Sequence, residues 1–196
     1  PDGSKGNVVR QYYYTVASLP AIRFEETPFL SQEEFLEYCA IEATPEDLET
    51  IRSAAIWLTD DDETEFFSPS PVYREWIAGL RELQRQAALI RAQALGRDTD
   101  RILRPDITDA GLTERLRIVM NEDTPLKTEN ALLRLLWQRA ENLEAGHHFD
   151  REKLLVYHLK LQIAARRARI NDTEAGAEAF DQQYEVVAQS LMEIAT

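Results

Sequence analysis

The chain has 196 residues, of which 44% are hydrophobic, and its 35 acidic and 22 basic side chains give a formal net charge of −13. A surface this acidic repels phosphate groups, so the composition argues against binding to nucleic acid or to an anionic membrane. The single cysteine, Cys39, excludes an internal disulfide and is typical of a reducing compartment, which predicts a cytoplasmic protein. Because Cys39 follows a helical pattern, we interpret it as a small buried hydrophobe.

No apolar run approaches the roughly 20 residues that a membrane-spanning helix needs, so we expect no direct insertion into a bilayer. The chain begins PDGSKG without an initiator Met, which predicts a processed or vector-derived start. Residues 1–6 are therefore expected to be disordered and to lie outside the fold.

The first element is expected in QYYYTVASLP, Gln11 to Pro20. Its aromatic and β-branched residues favour a strand, but no partner strand is evident, and a lone strand leaves its backbone polar groups unpaired. As a helix, the segment places Tyr12, Val16 and Leu19 on one face, and Pro20 ends it. We therefore predict a helix from Tyr12 to Leu19.

Three helix start signals follow, each with a hydroxyl side chain as the cap. Ser31 with Glu34 has the spacing of a capping box, and Thr44 and Ser70 each precede a proline at the first helical position. The helix after Ser70 is expected to run to Gly96, and its seam repeats at intervals of three and four residues. The seam residues are Val72, Trp76, Leu80, Leu83, Ala87, Ile90 and Ala94.

A charged connector, residues 97–107, separates an N-terminal helical part, residues 7–96, from a C-terminal helical part, residues 108–196. The C-terminal part is expected to contain a short helix in DAGLTERLRIVM, two long helices capped by Thr124 and Asp150, and a last helix in TEAGAEAFDQQYEVVAQSLMEIA. The helix after Thr124 is apolar nearly all round, which predicts that it is the most buried helix of the chain.

No segment from Thr44 to Thr196 alternates polar and apolar residues over a strand length with hairpin turns. The chain is therefore predicted to be all-α, with an antiparallel helical bundle or bundles of about seven to eight helices and long helices in the C-terminal half. The two helical parts can also form one continuous domain.

Two groups of potential metal ligands raise the alternative of a metal-dependent helical enzyme. The run Asp60–Asp62 lies in TDDDETEFF, which lacks the glycine and the glutamate of a calcium loop. His147, His148 and Asp150 lie in GHHFD, which lacks the His spacing of zinc proteases. A solvated loop and a helix stop followed by an N-cap also account for these residues. No residue is predicted to be catalytic or to bind a cofactor, because phosphate loops and nucleophile elbows are absent from the sequence.

Five residues are candidates for a protein interface, because tyrosine and arginine are enriched at interface hot spots. They are Tyr12, Tyr13, Arg166, Arg167 and Arg169. Each also has a structural interpretation, since the tyrosines can pack in the core and the arginines suit the negative end of a helix dipole.

The segment YYYTVASLPAIRFEETPFLSQEEFLEYC, Tyr12 to Cys39, resembles an uncharacterised bacterial family encoded beside the subunits of V-type (archaeal-like) rotary ATPases. Members of that family also carry a segment similar to GHHFDREKLLVYHLKLQI, Gly146 to Ile163. The aromatic opening is distantly similar to that of the C subunit (also called d), an all-helical socket that joins the central shaft to the membrane ring. The present chain is shorter than a full C subunit and has no threefold helical repeat.

The resemblance implies a non-enzymatic helical component or assembly partner of a bacterial V-type ATPase. Its partners would be ATPase subunits, and it would lie in the cytoplasm at the periphery of a membrane complex. A homo-oligomeric helical protein with no link to the motor is a second possibility.

Overall fold

A computed structural model describes residues 11–58, 68–97 and 110–172. Over these ranges every regular element is an α-helix and no strand is present, which confirms the predicted all-α class and the predicted helix at the tyrosines. The helices are α1 Tyr13–Ser18, α2 Gln32–Glu42, α3 Pro45–Ser53, α4 Pro71–Ala94, α5 Ala110–Met120, α6 Pro125–Glu144 and α7 Arg151–Ile170. The predicted last helix, residues 1–6 and nearly all of the 97–107 connector lie outside the described residues.

The helices begin and end at the predicted signals. Ser31 and Glu34 form both halves of the capping box: the Glu34 N–H donates to Ser31 Oγ over 3.2 Å, and the Ser31 N–H donates to Glu34 Oε2 over 2.8 Å. Gly96 and Gly146 have φ angles of 61° and 88°, which residues with a Cβ rarely adopt. Four other predicted caps accept a backbone hydrogen bond in the first turn: Thr44, Ser70, Thr124 and Asp150.

Among the described helices α7 is the most buried, and the prediction that α6 would be the most buried was wrong. Ten residues of α7 are buried, against five of α6. Helix α7 packs against α2, α3, α4 and α6, whereas Leu132 and Leu135 of α6 remain partly exposed. The leucine content of α6 pointed to burial, but the number of helices packed around α7 decides it.

The seam of α4 was predicted correctly only in its first half. Val72, Trp76 and Leu80 are buried, but the second half buries Gln86, Leu89 and Ala92 in place of the predicted residues. At about 100° per residue, Gln86, Leu89 and Ala92 lie on a different side of the helix from Val72, Trp76 and Leu80, so the face that meets a neighbour changes along these 24 residues. The second half of α4 faces α5, where Thr113 Oγ1 donates to Gln86 Oε1 over 2.9 Å.

The contact between α6 and α7 is the most extensive helix contact in the described ranges. At one end, Glu144 Oε1 and Oε2 lie 2.5 Å from the Nζ atoms of Lys153 and Lys160, respectively. At the other end, the side chains of Asn130 and Asn171 exchange hydrogen bonds of 2.9 and 3.1 Å. Burial raises the pKa of Glu144, but the two lysines outweigh burial and lower it, so the carboxylate stays ionised.

One hydrophobic core gathers buried residues from Tyr12 to Ala164. It contains Trp76 and Ile77 of α4 together with Leu133 and other residues of α6 and α7. The helices on the two sides of the predicted connector therefore share a core. Across the described ranges, no helix combines the length and the apolar character needed to cross a bilayer.

Candidate interaction surface

The tyrosines at the start of α1 lie in different environments. Tyr12 is buried: its hydroxyl donates to the carboxylate of Asp47 in α3, and its N–H donates to the carbonyl of Phe149. Tyr13 is 55% exposed, and its ring centroid lies 4.5 Å from that of Phe149. Tyr14 is 72% exposed. Tyr12 is thus a core residue without an accessible face, which corrects its assignment as an interface candidate, whereas Tyr13 remains a candidate.

Two segments that contact α1, the end of α2 and the turn before α7, also carry large exposed hydrophobic side chains. At the first segment, the N–H and Oγ1 of Thr15 donate to Glu42 Oε2 over 3.0 and 2.6 Å, which fastens α1 to the end of α2. Tyr38 lies one turn before Glu42 and is 47% exposed, and Ile41 is 71% exposed. In the second segment, Phe149 is 38% exposed. We call this group the α1 surface: Tyr13, Tyr14, Tyr38, Ile41 and Phe149.

The first of the candidate arginines is paired within the chain. Arg166 Nη2 lies 2.6 Å from Glu129 Oε1 in α6, and the Arg166 guanidinium carbon lies 5.3 Å from the centre of the Trp57 ring. Both contacts are partly shielded from solvent, since the side chains of Arg166 and Glu129 are 32% and 28% exposed. Arg166 therefore fastens α7 to α6 and to the segment after α3.

Arg167 is also used internally. It binds Glu25 over 3.1 Å, and Arg134 of α6 binds the same carboxylate. The buried Phe24 ring lies beneath both guanidinium groups, at 4.1 Å from Arg134 and 5.1 Å from Arg167. These contacts hold the loop between α1 and α2 against α6 and α7. Arg169 is exposed, and its guanidinium has no hydrogen bond or ion pair with the described residues, so it remains a candidate for an interface.

The histidine cluster is explained by helix capping. His147 Nδ1 lies 2.6 Å from Asp150 Oδ2, while Asp150 Oδ1 accepts the N–H of Lys153 over 3.0 Å at the start of α7. His148 is exposed. Within the described ranges, no group of three or more His, Cys, Asp or Glu residues is arranged to hold a metal ion. The run Asp60–Asp62 lies outside the described residues, so its metal-binding role stays a hypothesis.

Two buried groups that can titrate serve the core. Cys39 is fully buried, and burial raises the pKa of its thiol to about 12, which confirms its interpretation as a buried hydrophobe. His158 Nδ1 donates to the carbonyl of Ile51 over 2.8 Å, and His158 Nε2 accepts from the amide nitrogen of Gln162 over 3.3 Å. Burial lowers the pKa of His158, although the Ile51 hydrogen bond opposes this effect. Burial and the hydrogen bond from Gln162 to Nε2 therefore both favour the neutral imidazole.

A polar network below α1 was not anticipated from the sequence. Arg151 Nη1 lies 3.0 Å from Asp47 Oδ1, and Arg151 Nη2 lies 2.7 Å from Glu152 Oε1. Ser70 Oγ donates to Glu152, and Tyr12 completes the network at Asp47. Burial lowers the pKa of Arg151, but Glu152 and Asp47 outweigh burial and raise it. Asp47 and Ser70 each lie at the start of a helix, which is enough to explain a polar residue at either position. The sequence therefore contains no indication that Arg151 and Glu152 connect them.

Comparison of the chain with protein-family models, with curated proteins and with solved structures gives no match.

Proposed function

We propose that the chain is a non-enzymatic helical partner of a bacterial V-type rotary ATPase and that it binds ATPase subunits through the α1 surface. The observation that carries this proposal is the exposure of five large hydrophobic side chains on α1 and on two segments that contact it. Clustered exposed aromatic and aliphatic side chains are typical of protein interfaces. Such a protein would act in the cytoplasm, at the edge of the membrane complex.

The α1 surface offers a partner a substantial binding free energy. Full burial of an isoleucine or aromatic side chain contributes about 1.5–3 kcal/mol. Ile41 and Tyr14 remain 71% and 72% exposed in the folded chain, so most of this contribution is still available when a partner buries them. The rings of Tyr13 and Phe149 already pack against each other at a tilted angle, so they lose little side-chain entropy when a partner covers them.

The link to V-type ATPases depends on the two segments that resemble the ATPase-associated family. These two segments, Tyr12–Cys39 and Gly146–Ile163, meet at the backbone hydrogen bond from Tyr12 to Phe149 and at the tilted ring contact between Tyr13 and Phe149. Four of the five residues of the α1 surface lie in these segments, and Ile41 follows two residues after the first one. The resemblance and the exposed hydrophobic residues therefore point to the same part of the molecule.

We also infer that α6 and α7 run antiparallel, as in a helical bundle. The end of α6, at Glu144, pairs with Lys153 in the first turn of α7, and the start of α6, at Asn130, pairs with Asn171 just after α7. An antiparallel pair with an ion pair at one end and paired asparagines at the other gives a rigid support for the α1 surface.

Binding of the purified chain to purified V-type ATPase subunits and subcomplexes tests the proposal. We expect Ile41→Ser to weaken binding at least tenfold, because interface hot spots lose about 2 kcal/mol or more on truncation. Ile118→Ser is the matched control, since Ile118 is 61% exposed and lies on α5 outside the α1 surface. Circular dichroism verifies that both variants keep the helical content of the wild type.

The outcome separates the alternatives. If the wild type binds no ATPase subunit, or if Ile118→Ser weakens binding as much as Ile41→Ser, the proposal is wrong. A stable homodimer that Ile41→Ser dissociates would favour the homo-oligomer. A stoichiometric bound metal, with melting that depends on chelator, would favour the metal-dependent enzyme. Among the candidate arginines, Arg169 is the one to substitute in this binding assay, as Arg169→Glu. Arg166 and Arg167 pair with carboxylates of the same chain, so their substitution would also disturb the fold.

A further inference from the structure

A cavity of about 240 Å³ lies between α4, α5 and α6, away from the α1 surface. Five leucines from the three helices form its apolar wall. The other side is polar and contains Arg115 of α5, Arg139, Gln138 and Asn142 of α6, and Glu75 of α4. The cavity thus combines an apolar pocket with a group of hydrogen-bond donors.

Arg139 is the most unusual residue of this cavity. One of its terminal nitrogens donates to the carbonyl of Glu75, but its Nε is buried and has no hydrogen-bond partner among the described residues. Burial lowers the pKa of Arg139, and the nearby Glu75 charge opposes this effect only in part. A buried guanidinium with one unpaired N–H and a single nearby opposing charge is costly, so the site favours a further negative charge near Arg139.

Gly79 of α4 allows the guanidinium to occupy this position. A Cβ atom built on Gly79 would lie 1.9 Å from the guanidinium carbon of Arg139 and 2.1 Å from its Nε. Any other residue at position 79 would therefore displace Arg139. The close approach of a glycine backbone fixes the guanidinium against α4.

The remaining polar groups of the cavity are available for binding. Arg115, Gln138 and Asn142 are exposed, and their side chains make no hydrogen bond or ion pair with the residues that the structure describes. Two arginines face one carboxylate, Glu75, so the cavity carries a net positive charge in a chain whose formal charge is −13. This local charge favours an anionic ligand.

We propose that this cavity binds a carboxylate attached to a short apolar body. The planar guanidinium groups of Arg139 and Arg115 match a carboxylate, and the leucine wall takes the hydrocarbon part. The apolar half of the wall offers no partners to a fully hydrated phosphate. At roughly 30 Å³ per liquid-like site, the volume suits roughly eight non-hydrogen atoms, as in hexanoate. The source is either a free carboxylic acid or a carboxylate of another protein.

Titration of the full chain with hexanoate, at constant ionic strength, tests the site. A ligand of this size is expected to bind with a dissociation constant on the order of millimolar. At ten times that concentration, the melting temperature should rise by about 3–6 °C, and hexanol or inorganic phosphate should give a much smaller rise. The absence of saturable binding, or tighter binding of phosphate than of hexanoate, would overturn the proposal.

Two substitutions locate the site. Arg115→Gln should weaken hexanoate binding about tenfold or more, because a charge-assisted hydrogen bond is lost. Arg169→Gln is the matched control, since Arg169 is exposed and unpaired within the described ranges but does not line the cavity. Gly79→Ala should abolish binding by displacing Arg139. Equal binding by the wild type and Arg115→Gln would refute the assignment even if Gly79→Ala fails to fold.

The source of the carboxylate is then identified with a short leucine-rich peptide that ends in a free carboxylate. Tighter binding of this peptide than of hexanoate assigns the site to a protein terminus, and weaker binding assigns it to a free acid. Equal binding of the free and the C-terminally amidated peptide would refute recognition of a carboxylate.

Discussion

Lowering the pH from 7.5 to 5.5 is expected to destabilise the protein through His158. This side chain is 3% exposed and lies against Phe35, with ring centroids 5.4 Å apart. Its Nδ1 donates to the Ile51 carbonyl, and its Nε2 accepts from Gln162. Protonation would place a charge in the core and would set two N–H donors, from His158 and Gln162, against each other. The folded state therefore disfavours the protonated imidazole.

The direction of the effect follows from proton binding. The unfolded chain takes up a proton at His158 near the ordinary pKa of about 6.5, whereas burial lowers the pKa of the folded protein. Between these two values the unfolded state holds about one proton more than the folded state. Within this window the free energy of unfolding therefore falls by up to about 1.4 kcal/mol for each unit by which the pH is lowered. The contribution of His158 is complete above this window and is lost as the pH falls through it.

Urea unfolding followed by circular dichroism at pH 7.5, 6.5, 6.0 and 5.5 measures this slope. His158→Gln is expected to be less stable at every pH but to lose most of the dependence on pH. His148→Gln, a substitution of an exposed histidine, should keep the slope of the wild type. A wild-type stability that is constant over this range, or a slope that His158→Gln retains in full, would refute the assignment of the effect to His158.

Two further predictions concern groups buried near α1 and α2. Tyr12→Phe removes the hydroxyl that donates to Asp47, so it should lower the free energy of unfolding by about 1.5–3 kcal/mol. Tyr13→Phe is the control and should change this free energy little, because Tyr13 is exposed. Equal effects of the two substitutions in chemical denaturation would contradict the prediction. Cys39 should react with iodoacetamide at pH 8 several orders of magnitude more slowly in the native protein than in urea, because burial raises the pKa of its thiol to about 12. Mass spectrometry follows the reaction. Similar rates in the native and the urea-unfolded protein would contradict the prediction.

The local features of the fold could be predicted from the sequence because they depend on neighbouring residues. The capping box of Ser31 and Glu34 uses groups three positions apart, and the positive φ of Gly146 follows from the way helices end. The buried face of α4 beyond Leu80 could not be predicted in the same way. It depends on where α5 packs, and neither the seam pattern nor the helix propensity of α4 contains that information.

The accessibility of the candidate interface residues could be predicted only in part, for the same reason. Tyr13 and Arg169 are accessible, but Arg166 and Arg167 pair with Glu129 and Glu25, which lie 37 and 142 positions away along the chain. Residue type alone suggested that these arginines contact another protein, but in the fold they pair with carboxylates of the same chain. The exposed Ile41 of α2 carried no sequence signal, because a single isoleucine at a helix end is as compatible with burial as with exposure.

The α1 surface depends on contacts that lie outside it. Helix α1 has six residues, which is too short for a stable helix in isolation. Its anchors are the Tyr12 hydroxyl on Asp47, the Tyr12 N–H on the Phe149 carbonyl, and Thr15 on Glu42. Asp47 is in turn held by Arg151, whose Nη1 lies 3.0 Å from Asp47 Oδ1. The exposed aromatic residues are therefore presented by a network of partly buried polar side chains. Under the proposed function, loss of that network is expected to weaken partner binding without altering any residue of the surface.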